Sequence, residues 1–169
     1  MPKATACWLI ENKTLSFKHL LNADQITPPD IDLINTLALQ FKYQPTQFSK
    51  PLSNHILATL FFEPSTRTRF SFESAILRCG GNFINLEQGN SSSTSKGESL
   101  SDMGRIMSGY ADIIVMRHPS AGSVAEFASR ATVPVINAGD GPHQHPTQSL
   151  VDVATIFDKQ KQLSNLHIG

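Results

Sequence analysis

From Ile56 onward, short continuous apolar runs alternate with stretches whose apolar residues recur every three or four positions. The runs Ile56–Phe62, Phe83–Leu86, Asp112–Met116 and Val133–Asn137 predict strands. Between them, Phe72, Ala75, Ile76 and Cys79 mark the buried stripe of a helix that Gly80-Gly81 ends. Leu100, Met103, Met107 and Tyr110 mark a second. Val124, Phe127, Ala128 and Ala131 mark a third, which Ser123 and Glu126 start as a capping box. Leu150, Val153, Ala154 and Phe157 mark a fourth. Upstream, Thr27 followed by Pro28 reads as an N-cap with proline in the first turn, and Ile34, Leu37, Ala38 and Phe41 follow at helical spacing. Gln44 to Asn54 is polar, holds Pro45 and Pro51, and reads as a loop. Asn165 to Gly169 reads as one more strand beginning.

Strand–helix alternation of this kind implies βαβ units. The strands are apolar along their length, as they are when helices cover both faces. The expected fold is therefore α/β: an open, mainly parallel sheet of about four strands with helices on both sides. No internal repeat is visible, and the run Asn90–Ser95 is too polar to pack.

Composition narrows the function classes. The chain has 169 residues, 40% hydrophobic and 17% charged, which suits a globular domain and neither a disordered segment nor a coiled coil. Fourteen basic residues balance fourteen acidic ones, so no global field draws nucleic acid, and an anionic ligand must be caught by local charge. Cys7 and Cys79 cannot build a disulfide framework or a multi-cysteine zinc site. The start, Met1-Pro2-Lys3-Ala4, lacks the apolar run of a signal peptide, and no apolar stretch is long enough to span a membrane. The expectation is a soluble cytoplasmic protein.

Ligands of open parallel sheets bind at the carboxyl ends of the strands. There the sequence supplies Glu63-Pro64-Ser65-Thr66-Arg67-Thr68-Arg69, a Ser-rich run ending Lys96-Gly97-Glu98, Arg117-His118-Pro119, and Gly139-Asp140-Gly141 leading to His145 and Gln148. All four groups would face one side. Ser65–Arg69 sits where a strand hands over to a helix, and open backbone N–H groups there favour an anion. Arg67 and Arg69 point in nearly opposite directions, and Arg67 is the one expected to face the ligand. His145 and Gln148 share a helix face. Lys96 on a polar loop could bring a cation to a transition state. A Ser65–His145–Asp140 relay and a metal pair of His143 with His145 are the alternatives; no G-x-S-x-G elbow supports the first and no further ligand set the second. With no Walker or G-x-G-x-x-G pattern, the residues read as a site for a small phosphorylated ligand.

Phe62-Glu63-Pro64-Ser65-Thr66-Arg67-Thr68-Arg69 with Ser71-Phe72-Glu73, Ser92…Lys96-Gly97-Glu98, Met116-Arg117-His118-Pro119, and His145-Pro146-Thr147-Gln148 together resemble the signatures of the aspartate/ornithine carbamoyltransferase family. Thr147, where ornithine enzymes usually carry cysteine, and Lys96 favour the aspartate branch. The resemblance implies transfer of the carbamoyl group of carbamoyl phosphate to L-aspartate, an early step of pyrimidine synthesis, with no metal or organic cofactor. It implies that Ser65, Thr66, Arg67 and Thr68 cradle the phosphate. Thr68, Arg117 and His145 would polarise the carbamoyl oxygen, and Gln148 would hold the carbamoyl amide. Ser92 and Lys96 would reach a neighbouring subunit's site, making a homotrimer, with Lys96 touching aspartate as well. Residues 1–158 would form the carbamoyl-phosphate domain, and 159–169 a linker and the start of an absent aspartate-binding domain, so that the chain alone would be weakly active or inactive. Regulatory chains or a dihydroorotase are possible partners of such an enzyme; no nucleic acid or membrane is expected. An ornithine-type enzyme, a non-catalytic carbamoyl-phosphate-binding module and a subunit-association domain are the competing readings.

Overall fold

The computed structural model describes residues 14–48, 50–87, 98–163 and 166–167. Among the described residues, four strands form one sheet: β1 Ile56–Phe61, β2 Asn82–Glu87, β3 Ile113–His118 and β4 Val135–Asp140. All neighbours pair parallel in the order β2-β1-β3-β4. Five helices accompany them: α1 Pro28–Tyr43, α2 Thr66–Arg78, α3 Leu100–Met107, α4 Ser123–Ala128 and α5 Pro146–Gln160, with a 3₁₀ turn at Pro45–Phe48. The expected α/β class is what the chain adopts.

Strand alternation splits the core in two. Ala58, Leu60, Ile114, Met116 and Val135 face α3 and α4, where Met103, Val124 and Phe127 meet them. Leu57, Phe61, Val115 and Ala138 point to the opposite face, where Ile76 of α2 packs. Phe127, Leu60 and Ile114 are fully buried, each contributing about 2–3 kcal/mol of transfer free energy. α3 can approach α4 only because residue 104 is glycine: a Cβ there would stand 2.1 Å from the carbonyl oxygen of Phe127. α5 packs on β4, and α1 packs on α5.

The chain runs from β1 to β2 on one side, then crosses back to β3 and β4 on the other. The direction of winding therefore reverses between β1 and β3, and a crevice opens at their carboxyl ends. Upstream of α1, Leu20 joins the far edge: its N–H donates to Val135 O at 2.9 Å, and its carbonyl accepts from Asn137 N at 2.8 Å.

Several elements differ from the sequence expectation. β3 runs on through Arg117 and His118, and β4 starts at Val135 and continues to Asp140. Pro134, without an N–H, suits the position just before the ladder. The N-cap of α4 is Gly122, at φ 83°, with Ser123 already inside the helix, so the expected capping box does not form. Gly122 N donates instead to Asp140 Oδ2 at 2.9 Å. Tyr110 lies beyond the end of α3 and is exposed. Ala75 is exposed too, and buried Glu73 stands on the inner face of α2 beside Ile76 and Cys79. The α1 stripe is only partly covered, because this helix rests on α5 and not on the sheet; its buried positions are Asp30 and Asn35. Of the strand expected from Asn165 to Gly169, only Leu166 and His167 are described, and neither is in a strand; most of the polar stretch from Gln88 to Ser99 lies outside the described residues.

Candidate active site

α2 begins directly after β1, and α5 begins shortly after β4, so two helix N-termini approach one another at the carboxyl edge of the sheet. A cleft of about 600 Å³ lies between them, lined by Arg67, Thr68, Ser71, His145, Thr147 and Gln148 above an apolar floor that includes Phe72 and Leu150. That volume suits a small ligand. Ser65 is the N-cap of α2 and makes no side-chain cap bond. The first internal helix bond there is Arg69 N to Ser65 O at 3.2 Å, so the N–H groups of Thr66, Arg67 and Thr68 precede the ladder. Open amides at a helix start, together with the dipole, make an anion site.

The two arginines of α2 part ways as their spacing requires. Arg67 is exposed and lines the cleft. Arg69 turns inward: its Nε lies 3.7 Å from Glu73 Oε1, and its guanidinium sits over the Phe70 ring. Thr59 Oγ1 of β1 donates to the same Glu73 oxygen at 3.2 Å. This buried polar contact ties α2 to β1 one helical turn behind the cleft.

Arg117 points to the α2 face of the sheet, as its odd place in β3 demands, while His118 turns to the other face beside Phe62, with ring centroids 5.3 Å apart. Arg117 Nε donates to Glu63 Oε1 at 2.5 Å. Its guanidinium lies across Gly139, where φ is +129° and a Cβ would come within 3.1 Å of a terminal nitrogen. Glu63 and Gly139 were named at the strand ends from the sequence but given no role there. Arg117 does not line the cleft itself, but its charge reaches His145.

His145 is the N-cap of α5, followed by buried Pro146 at the first helical position. Burial holds its imidazole below the ordinary histidine range, and the Arg117 charge pushes the same way. The ring is therefore neutral at pH 7. Its Nδ1 lies 3.3 Å from Thr147 Oγ1. Asp140 does not serve it: that carboxylate accepts from Gly122 N, with His143 Nδ1 at 3.7 Å. The Ser65–His145–Asp140 relay is not assembled. Gln148 Nε2 donates to Asp152 Oδ1 at 2.9 Å, one turn along α5. Of the expected residues, Arg67, Thr68, His145 and Gln148 thus meet at one cleft, with Ser65 and Thr66 at its rim and Arg117 beside it. Ser92 and Lys96 lie outside the described residues.

Residues 18–158 match the family described as aspartate/ornithine carbamoyltransferase, carbamoyl-P binding domain. The chain belongs to this family. Among its carbamoyltransferase relatives, the aspartate carbamoyltransferase catalytic subunit of Finegoldia magna is 53% identical over 155 residues, covering 92% of this chain and 51% of that one. The corresponding subunit of Clostridium acetobutylicum is 47% identical, over 92% and 50% of the two chains. The catalytic subunit of M. jannaschii aspartate transcarbamoylase superposes with a TM-score of 0.78 at 47% identity, over 86% of this chain and 48% of that one. A Trypanosoma cruzi aspartate transcarbamoylase in complex with carbamoyl phosphate does so with a TM-score of 0.78 at 38% identity, over 88% and 46%. The chain spans about half the length of the curated relatives it matches.

Proposed function

We propose that the cleft between α2 and α5 binds carbamoyl phosphate, and that the chain serves an aspartate carbamoyltransferase, transferring the carbamoyl group to L-aspartate to give N-carbamoyl-L-aspartate and phosphate. The observation that carries this reading is the meeting of two helix starts on one cleft. One brings open amides with Arg67 and Thr68, and the other brings a neutral His145 with Gln148. The aspartate branch is supported by the relatives and by Thr147.

The chemistry needs no covalent enzyme intermediate. The aspartate amine attacks the carbamoyl carbon, and charge gathers on the carbamoyl oxygen. Donors from Thr68 and His145 in the cleft, with the positive charge of Arg117 beside it, stabilise that oxygen more in the transition state than in the ground state. A neutral imidazole donates there without competing for the phosphate charge. As the carbon–oxygen bond to phosphate breaks, the negative charge on the leaving group is held by Ser65, Thr66, Arg67 and the α2 amides. The departing phosphate can take the amine proton, so no separate base is required. Gln148 accepts from the carbamoyl amide. Ser92 and Lys96 complete the site from a neighbouring subunit of a homotrimer, with Lys96 meeting both substrates. Residues 1–158 act as the carbamoyl-phosphate domain, and 159–169 lead toward an aspartate-binding domain. The setting is the cytoplasm and pyrimidine synthesis.

Calorimetric titration of the chain with carbamoyl phosphate in phosphate-free buffer tests the reading. Saturable binding is expected, with an affinity loss of at least about tenfold in Arg67→Ala, the effect of removing a charge-assisted contact. Heat that is absent in the wild type, or unchanged by Arg67→Ala, contradicts it.

A further inference from the structure

Gln148 lines the cleft on α5, but its amide is not free to choose a direction. Its Nε2 donates to Asp152 Oδ1 at 2.9 Å. The pair is spaced i, i+4, where glutamine and aspartate side chains meet on a helix surface. An ionised carboxylate only accepts hydrogen bonds, so the end of the amide that faces Asp152 must be the nitrogen. The oxygen is then the end left for the cleft. Asp152 sits about one turn further along α5 than Gln148, away from the helix start that His145 caps.

This has a chemical consequence. The other polar groups at the cleft (the α2 amides, Arg67, Thr68 and neutral His145) can all donate. The amides and Arg67 only donate, and the Thr68 hydroxyl and the neutral imidazole can turn either way, so none of them is committed to an N–H group. A carboxamide oxygen that cannot turn away from the cleft is such a commitment. We propose that Asp152 is a positioning residue: by holding the Gln148 nitrogen it presents Oε1 to the ligand and makes the cleft selective for an acyl phosphate bearing an –NH2 group over its methyl isostere. The inference rests on the carbamoyl-phosphate reading of this cleft and extends it to a residue that does not touch the ligand.

Replacing Asp152 by asparagine keeps shape and exposure but offers Gln148 either a donor or an acceptor, so the amide can turn over. The test compares carbamoyl phosphate, acetyl phosphate and orthophosphate by calorimetry on the wild-type chain, Asp152→Asn and Asp152→Ala. The wild type is expected to prefer carbamoyl over acetyl phosphate. In both variants that preference falls by roughly fivefold to tenfold, the worth of one directed hydrogen bond, while orthophosphate binding is unchanged. A wild-type preference that survives both substitutions overturns the role of Asp152 and leaves the carbamoyl-phosphate reading standing. Equal weakening of all three ligands also overturns it, because that is the mark of a merely structural residue. Binding of none of them to the wild type overturns both.

Discussion

His145 has two neighbours that matter, and they act on different properties. Burial and the Arg117 charge keep the imidazole neutral, and Thr147 stands at its Nδ1. A histidine with its folded value below 6.5 takes its proton only at lower pH than the free side chain. In a proton NMR titration, the His145 ring signals should therefore move at a pH below the ordinary midpoint. Arg117→Ala should raise that midpoint part of the way, because burial, the larger cause, remains. A midpoint at or above the ordinary value, or one indifferent to Arg117, would contradict this. Residues of this kind were partly legible in the sequence. Arg67, Thr68, His145 and Gln148 could be found because each follows a strand that ends in polar residues. The opposed directions of Arg67 and Arg69 followed from helical spacing alone. The roles of Glu63, Gly139 and Asp152 were not found: each acts by contact with another site residue, and such contacts exist only once β1, β3, β4 and α5 are side by side.

At the scale of elements, the strands were the clearest features, because a strand covered on both faces leaves a continuous apolar run. Their ends were less clear. Arg117, His118 and Asp140 continue the ladder although polarity had ended the pattern, since strand hydrogen bonding depends on backbone and not on side-chain polarity. The cap of α4 was misplaced by one residue, because Gly122 has no side chain to advertise itself and its partner, Asp140, is remote in sequence. The helix contacts carry their own prediction. Gly104 lets α3 lie against the Phe127 carbonyl, so Gly104→Ala should destabilise the chain by about 2 kcal/mol or more through overpacking. Chemical denaturation checks it: the midpoint should fall with the slope unchanged. An unchanged midpoint would mean that α3 and α4 can move apart at little cost.

For the whole molecule, α1 is the element whose packing the sequence described least well, because its partner is another helix and much of its contact is polar. Asp158 of α5 accepts from Lys42 Nζ at 2.7 Å and Tyr43 Oη at 2.8 Å, both at the end of α1. Asp30 near its start accepts from the hydroxyls of Ser16 at 2.7 Å and Thr27 at 2.5 Å, and from the backbone N–H groups of the same two residues. These bonds hold both carboxyl groups well below the usual carboxylate range. Depressed folded values favour the ionised folded state, so the stabilisation is complete above the unfolded value near 4. It is lost as pH falls further, because the unfolded chain takes up the protons first. Melting temperature should therefore drop on acidification below about pH 4, and Asp158→Asn should flatten that drop. A profile identical to that of the wild type would show that the α1–α5 tie carries no pH-dependent stability.

The proposed site stands on two helix starts that serve one ligand. The most direct measurement is the backbone amide spectrum of the ¹⁵N-labelled chain during titration with carbamoyl phosphate. The predicted result is that Thr66, Arg67 and Thr68 at the start of α2 shift along a single binding curve with Thr147 and Gln148 at the start of α5. Shifts confined to one helix start, or fitted by different affinities at the two, would contradict it.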